Sequence, residues 1–129
     1  MFINLSNHPS LLWGEKQLEE AAEYGYIIDL PFPEVDPECG SEIIEDLAEE
    51  YGEKINELRL SECRDKLVVH IMGELTLCFA LVSRLQSSGI RCLSSTTTRQ
   101  TADNDDGSKT SWFEFVRFRE YGTIDSSVH

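Results

Sequence analysis

Leu67-Val68-Val69-His70-Ile71-Met72 is an apolar run broken only by one histidine, and Gly73-Glu74 follows it. A strand with no polar face has no side to offer water, so it belongs in the interior of a parallel sheet. The segment over 75–88 is long enough for a helix and apolar on most sides, with Gly89 placed to stop it. Ile90-Arg91-Cys92-Leu93-Ser94-Ser95 then reads as the next strand. Strand, buried helix, strand is a crossover unit, and such units are almost always right-handed.

The same alternation extends to both ends. Upstream, Phe2-Ile3-Asn4-Leu5 reads as a strand that stops at the turn-rich Ser6-Asn7-His8-Pro9-Ser10. Gly14 and Gln17 mark a helix start, Leu18, Ala21 and Ala22 its narrow apolar stripe, and Gly25 its end. Tyr26-Ile27-Ile28-Asp29-Leu30 is a second strand, ended by Pro31-Phe32-Pro33. After an acidic, proline-containing linker over 34–40, Ser41 caps a long helix whose buried face is Ile43, Ile44, Leu47, Ala48, Tyr51, Ile55 and Leu58. Its acidic side, Glu42 to Glu53, reads as a solvated face. Downstream, Asp103-Asn104-Asp105-Asp106-Gly107 is a hairpin turn, and Ser111 to Arg119 returns as an antiparallel strand. The order β-α-β-α-β-α-β-β predicts a small Rossmann-like α/β fold. Its sheet is mainly parallel and flanked by helices, with a C-terminal antiparallel hairpin edge. One domain is expected over 1–121, with a flexible tail over 122–129.

Composition narrows the function. The 129 residues are 40% hydrophobic and carry a net charge of −13. Residues 15–62 hold 16 acidic and 3 basic side chains, whereas 63–129 hold 8 of each. A chain with no basic surplus is a poor ligand for duplex DNA. A compact anion gripped by a few arginines and backbone amides stays open. No apolar run approaches the roughly 18 residues of a membrane span, and no basic patch precedes an apolar stretch at the N-terminus. Neither membrane insertion nor secretion is expected, and Cys39, Cys63, Cys78 and Cys92 read as free thiols of a cytoplasmic protein. They form no C-x-x-C pair, and His8, His70 and His129 show no ligand spacing, so no metal is expected. No cofactor is expected either: the chain has no G-x-G-x-x-G and no phosphate-binding G-x-x-x-x-G-K. It also lacks a G-x-S-x-G elbow, and Cys78 sits mid-helix, a poor place for a nucleophile.

Ligands of open parallel sheets bind beyond the carboxyl ends of the strands. That rule gathers Ser6–Ser10, Pro31–Pro33, Gly73–Thr76 and Thr96–Arg99. Ser6, Asn7, His8 and Ser10 supply hydroxyl, amide and imidazole groups for ribose or phosphate. Gly73 admits a ligand to the backbone, and Glu74 and Thr76 open a helix whose first N–H groups attract anions. Thr96, Thr97 and Thr98 add hydroxyls, and Arg99 follows them as the best-placed cation. Arg117 and Arg119 are expected toward the opposite end of the sheet. Each residue also has a plainer reading. His8 before proline shapes a turn, His70 is a hydrogen-bonded core histidine, and the threonines favour a strand. Likewise, Gly73 makes a tight turn and Glu74 complements a helix dipole.

Val69-His70-Ile71-Met72-Gly73-Glu74, Ser95-Thr96-Thr97-Thr98-Arg99, the turn Asp105-Asp106-Gly107-Ser108 and Phe115-Val116-Arg117-Phe118-Arg119-Glu120-Tyr121 resemble a group of small CRISPR-associated proteins. These are single-domain relatives of the CARF (CRISPR-associated Rossmann fold) domains. Leu5-Ser6-Asn7-His8-Pro9-Ser10, followed by Gln17, is similar to their first strand and loop. The resemblance follows the order of elements along the whole chain, and its specific motifs lie in the final third. It implies binding of cyclic oligoadenylate, the messenger of type III CRISPR defence, by a homodimer with the ligand on its two-fold axis. Members that cut the messenger are ring nucleases. They need no metal, because the ribose 2′-OH attacks the adjacent phosphate. On this reading His8, Ser6 and Arg99 are the catalytic residues: His8 is the acid or base, and Arg99 and the amides at 73–76 stabilise the phosphorane. Two other readings stay open: a non-catalytic sensor or sponge of the same ligand, and a small α/β protein that binds an unrelated nucleotide.

Overall fold

The computed structural model describes residues 1–62 and 66–123. Its core is a five-stranded sheet in the order β2-β1-β3-β4-β5, with β1 at Phe2–Ser6, β2 at Ile27–Pro31, β3 at Val68–Met72, β4 at Arg91–Asp103 and β5 at Lys109–Glu120. The first four strands are parallel, and β5 runs antiparallel to β4 at one edge. Three helices flank the sheet: α1 at Glu15–Ala22, α2 at Ser41–Glu62 and α3 at Leu75–Ser87. The mixed α/β architecture with a hairpin edge agrees with the sequence pattern. β3 has a neighbour on each side and four of its five residues are buried, as its apolar run requires.

Side chains alternate across a strand, and that alternation divides the interior in two. Ile3, Leu5, Val69, Ile71 and Cys92 point to one face, where they pack with Ala48 and Ile55 of α2 and Leu77, Leu81 and Leu85 of α3. Phe2, Val68 and Leu93 point to the other, against Trp13, Ala21 of α1 and Phe118 of β5. Asn4, Ser6 and His70 share the parity of Phe2 and Val68, so the buried polar side chains of the sheet all lie on this second, smaller face. Gly25 ends the α1 segment at φ +122°, and a Cβ there would come within 2.8 Å of the Met1 backbone nitrogen. Both facts demand glycine.

Two elements differ from the sequence expectation. Ser10–Leu12 forms a 3-10 turn inside the loop after β1. β4 does not stop at Ser95 but continues to Asp103, paired with β5 throughout. β3 accompanies β4 only as far as Leu93. Beyond that point β4 and β5 form a two-stranded ribbon, turned at 104–108 and shifted in register between Thr96 and Thr97. The β-branched threonines, placed beyond the strand end as ligand hydroxyls, are part of the strand, as their propensity favours. Of the expected tail, Gly122 and Thr123 have no regular structure, and 124–129 lie outside the described residues. No helix among the described residues is long and apolar enough to cross a membrane.

Candidate functional site

The polar side chains on the smaller face form a continuous line across four strands. Asn4 of β1 stands in register with Asp29 of β2 on one side and His70 of β3 on the other. Asn4 Nδ2 donates to Asp29 Oδ1 at 2.8 Å. Asn4 Oδ1 lies 2.9 Å from His70 Nδ1, and His70 Nε2 lies 3.2 Å from Ser95 Oγ of β4. Asn4 and His70 are almost fully buried, at 1% and 2% exposure, whereas Asp29 at one end is exposed and Ser95 at the other is half-buried.

The surroundings explain the electrostatics. Phe2 stacks on the His70 ring at 6.0 Å, with Trp13 and Phe118 edge-on at 5.5 and 5.4 Å. This apolar burial penalises the imidazolium and pushes the His70 pKa down to about 4. At Asp29, desolvation raises the pKa, but the hydrogen bonds from Asn4 and Ser10 together outweigh it and hold the carboxyl below its ordinary value. Ser10 binds that carboxylate twice, from its backbone N–H at 3.1 Å and its hydroxyl at 2.8 Å.

The loop 6–10 is tied down by the same network. The Ser6 hydroxyl is buried and donates toward Asn4 Oδ1 at 2.8 Å. The His8 carbonyl accepts from Asn4 Nδ2 and Trp13 Nε1, both at 3.0 Å. His8 therefore anchors the loop through its backbone, while the residue itself is exposed, as is Asn7. Ser6, Asn7 and Asp29 help to line a cleft of about 150 Å³ at the ends of β1 and β2.

The start of α3 departs from expectation. Glu74 is its N-cap, and its carboxylate accepts from the Thr76 and Leu77 amides at 3.1 and 2.8 Å and from the Thr76 hydroxyl at 2.6 Å. Those bonds hold the Glu74 pKa below its ordinary value. The two amides expected to receive an anion already have one. Gly73 is explained by packing: a Cβ there would lie 2.6 Å from the Phe32 ring, so the close approach is made by Phe32. Beside it, Met72, Leu75, Phe79 and Tyr121 line an apolar pocket of about 290 Å³, and the Tyr121 hydroxyl donates to the Ile71 carbonyl.

The arginines lie at other heights along the strands than the sequence predicts. Arg99 lies well out on the ribbon, opposite Phe113, with one guanidinium bond of 3.3 Å to the Ser111 hydroxyl. Arg117 stands opposite Thr96 and Arg119 opposite Ser94, one step to either side of Ser95. The two arginines expected far from the strand ends thus lie nearer to them than Arg99 does. The extended β4 and the register shift put them there. Thr96 donates its hydroxyl to the Arg117 carbonyl, and Thr97 and Thr98 are exposed on the ribbon.

Of the residues singled out in the sequence, the structure gathers Ser6 and Ser10 around Asp29 and Asn4. Gly73, Glu74 and Thr76 stand apart at the α3 end, and Thr97, Thr98 and Arg99 extend away. Asn4, Asp29 and Ser95 escape a search for chemical motifs. Their signal is a lone polar residue inside an apolar strand, which must find a buried partner. A cavity of about 490 Å³ opens at the opposite, amino-terminal end of the strands. Its Arg91 is clamped to Glu120 at 3.0 and 3.3 Å, and its Arg59 bonds the Ser88 carbonyl and Asn56. The polar line is the better candidate, because it combines buried titratable chemistry with access at the strand ends. Among the described residues no cluster of His, Cys, Asp and Glu is arranged to hold a metal.

With this geometry in place, the chain can be set against known proteins. It belongs to the family described as the uncharacterized protein MJ1673 family, whose model matches residues 1–119. No curated protein and no solved structure matches it.

Proposed function

We propose that this protein binds cyclic oligoadenylate across the carboxyl ends of its strands, as a cytoplasmic homodimer, and opens the ring without a metal. The ribose 2′-OH attacks the neighbouring phosphodiester, leaving a 2′,3′-cyclic phosphate and a free 5′-OH, and type III CRISPR signalling ends. The observation that carries this reading is the buried Asn4–His70 pair, which reaches a half-exposed hydroxyl, Ser95, at the strand ends. Around it lie groups suited to a nucleotide. Ser10 and Asn7 suit ribose, the Met72–Phe79 pocket suits the face of a base, and Arg117 and Arg119, at the height of the strand ends on the other face of the sheet, suit phosphate at its rim. The resemblance of Val69–Glu74, Ser95–Arg99 and Phe115–Tyr121 to CARF-like proteins points the same way.

The rival is a sensor or sponge that binds the ring and leaves it intact. Its specific support is that the Ser6 hydroxyl and the first α3 amides are already committed within the chain. The two readings part on one experiment. Purified protein is incubated with cyclic tri-, tetra- and hexa-adenylate in EDTA, and the products are separated by chromatography. Linear products ending in cyclic phosphate support the nuclease. Binding by calorimetry with no product supports the sensor, and no binding of any ring removes both.

A further inference from the structure

The orientation of the Asn4 amide settles a proton position. Asp29 is an ionised carboxylate and accepts only, so the amide group facing it at 2.8 Å must be Nδ2. Asn4 Oδ1 therefore faces His70 Nδ1 at 2.9 Å, and an amide oxygen has no proton to give. The proton of the neutral ring must sit on Nδ1, which leaves the Nε2 lone pair directed at Ser95 Oγ, 3.2 Å away. Ser95 has a second acceptor, Met72 Sδ at 2.8 Å, but a thioether is a much weaker acceptor than imidazole nitrogen. Hydroxyl, histidine and an orienting amide fixed by a carboxylate form the arrangement that activates a hydroxyl in nucleophilic and acid–base sites.

We propose that Ser95, His70, Asn4 and Asp29 form a proton relay that opens to the ligand at Ser95. Ser95 is the catalytic residue, His70 is the base behind it, and Asn4 and Asp29 are positioning residues. This rests on the ring-opening reading and deepens it. As the 2′-oxygen bonds to phosphorus, the 2′-OH proton passes to Ser95 Oγ, and Ser95 passes its own proton to His70 Nε2. The bond from phosphorus to the 5′-oxygen breaks, and the 5′-oxygen takes a proton from water. The imidazolium, held through Nδ1–H by Asn4, then returns its proton through Ser95 to solvent. Burial keeps the resting ring neutral at physiological pH, so the Nε2 lone pair is unprotonated.

The test has two arms. In the first, Ser95→Ala and Ser95→Thr are compared with wild type on the ring that wild type cleaves. Ser95 is half-buried near the start of the ribbon, so both variants should fold. The expected result is a loss of about 100-fold in kcat for Ser95→Ala with KM within about threefold, and recovery to within about tenfold for Ser95→Thr. Equal turnover by Ser95→Ala overturns the relay. The second arm needs no ligand: nitrogen-15 NMR of the histidine rings. The relay requires the His70 proton on Nδ1 and an Nε2 resonance that shifts in Ser95→Ala. A proton on Nε2, or an Nε2 resonance indifferent to Ser95, overturns it. If wild type opens none of the rings, the ring-nuclease reading fails alone, and the second arm still decides whether the relay exists.

Discussion

Asp29 and Asn4 meet side by side on β2 and β1, and the 2.8 Å bond between them, with the His8 carbonyl as second acceptor of the same Nδ2, fixes what His70 faces across the sheet. Without the carboxylate, Asn4 Nδ2 would keep the His8 carbonyl as its acceptor at 3.0 Å, so Asp29 reinforces the orientation that presents Oδ1 to His70 Nδ1. Asp29 also binds Ser10 twice, so one exposed side chain supports both a buried tautomer and the course of the 6–10 loop.

Asp29→Ala should therefore cost stability modestly and order more visibly. The carboxylate is largely exposed and screened, so the expected loss is about 1 kcal/mol in urea unfolding. Hydrogen exchange at the Ser10 amide should speed up, while exchange in the core of β3 stays slow. Unchanged exchange at Ser10 would show that the loop is held by the His8 carbonyl alone.

His70 makes stability depend on pH in a defined window. In the unfolded chain it takes a proton near its ordinary value of 6.5, and in the folded protein only at about 4. Between these values the unfolded state binds the additional proton, so this stabilisation is complete above about pH 6.5 and is lost as pH falls toward 4. The interval corresponds to about 3 kcal/mol. The groups against the ring are Asn4, Ser95, Phe2, Trp13 and Phe118, none of which titrates nearby, and Asp29 behind Asn4 titrates below the window. Denaturant melts from pH 7.5 to 4 should show this slope in wild type and a shallower one in His70→Gln.

Much of this fold is legible in the sequence because its strands and helices are punctuated. The two-sided apolar run at 67–72 predicts the central strand, Gly25 and Gly89 end helical segments at positive φ, and Asp105-Asp106-Gly107 predicts the ribbon turn. What is not legible depends on register between distant segments. Asn4, Asp29 and His70 each look like a lone polar residue in an apolar strand, and only parallel pairing at equal height makes them a line. The threonines mislead for a related reason, since whether β4 ends at Ser95 depends on β5 having a strand to offer.

Gly73 separates packing from ligand access. If Phe32 is the reason for the glycine, Gly73→Ala must displace a buried ring, at a cost of about 1–3 kcal/mol. Pairing it with Phe32→Leu should recover part of that loss, because the Cβ then has room. Thermal melts of the two single variants and the double variant measure the coupling. If Gly73→Ala is as stable as wild type, the Phe32 explanation is wrong.

Glu74 occupies the α3 amides that a phosphate would otherwise use. Glu74→Ala should lower the melting temperature by removing the cap, and it should also raise affinity for an anion at that end by freeing the Thr76 and Leu77 amides. Inorganic phosphate titrated by calorimetry into wild type and Glu74→Ala reads this directly. Equal or weaker binding by the variant would show that the helix end is closed for reasons other than its own cap.

The cations give the sharpest contrast with the sequence reading. Arg99, the first choice from topology, stands opposite Phe113 out on the ribbon, whereas Arg117 faces Thr96, the neighbour of Ser95. Arg117 stands closer than Arg99 to the height of the strand ends, on the face of the sheet opposite Ser95, so a phosphate that it holds lies over the rim of the sheet. In a chain with 11 basic residues against 24 acidic ones, a correctly placed arginine has few substitutes. Arg117→Ala is expected to weaken binding of cyclic tetra-adenylate by about 2–3 kcal/mol, the worth of one or two charge-assisted hydrogen bonds. Arg99→Ala should cost under about 1 kcal/mol, the range of an exposed and screened charge. Both residues are exposed, so circular dichroism should show both variants folded. The comparison is calorimetry of the two variants at one ionic strength. If Arg99→Ala proves the weaker binder, the ligand extends along the ribbon on the face that Arg99 shares with Ser95, and the assignment of the phosphate to Arg117 falls.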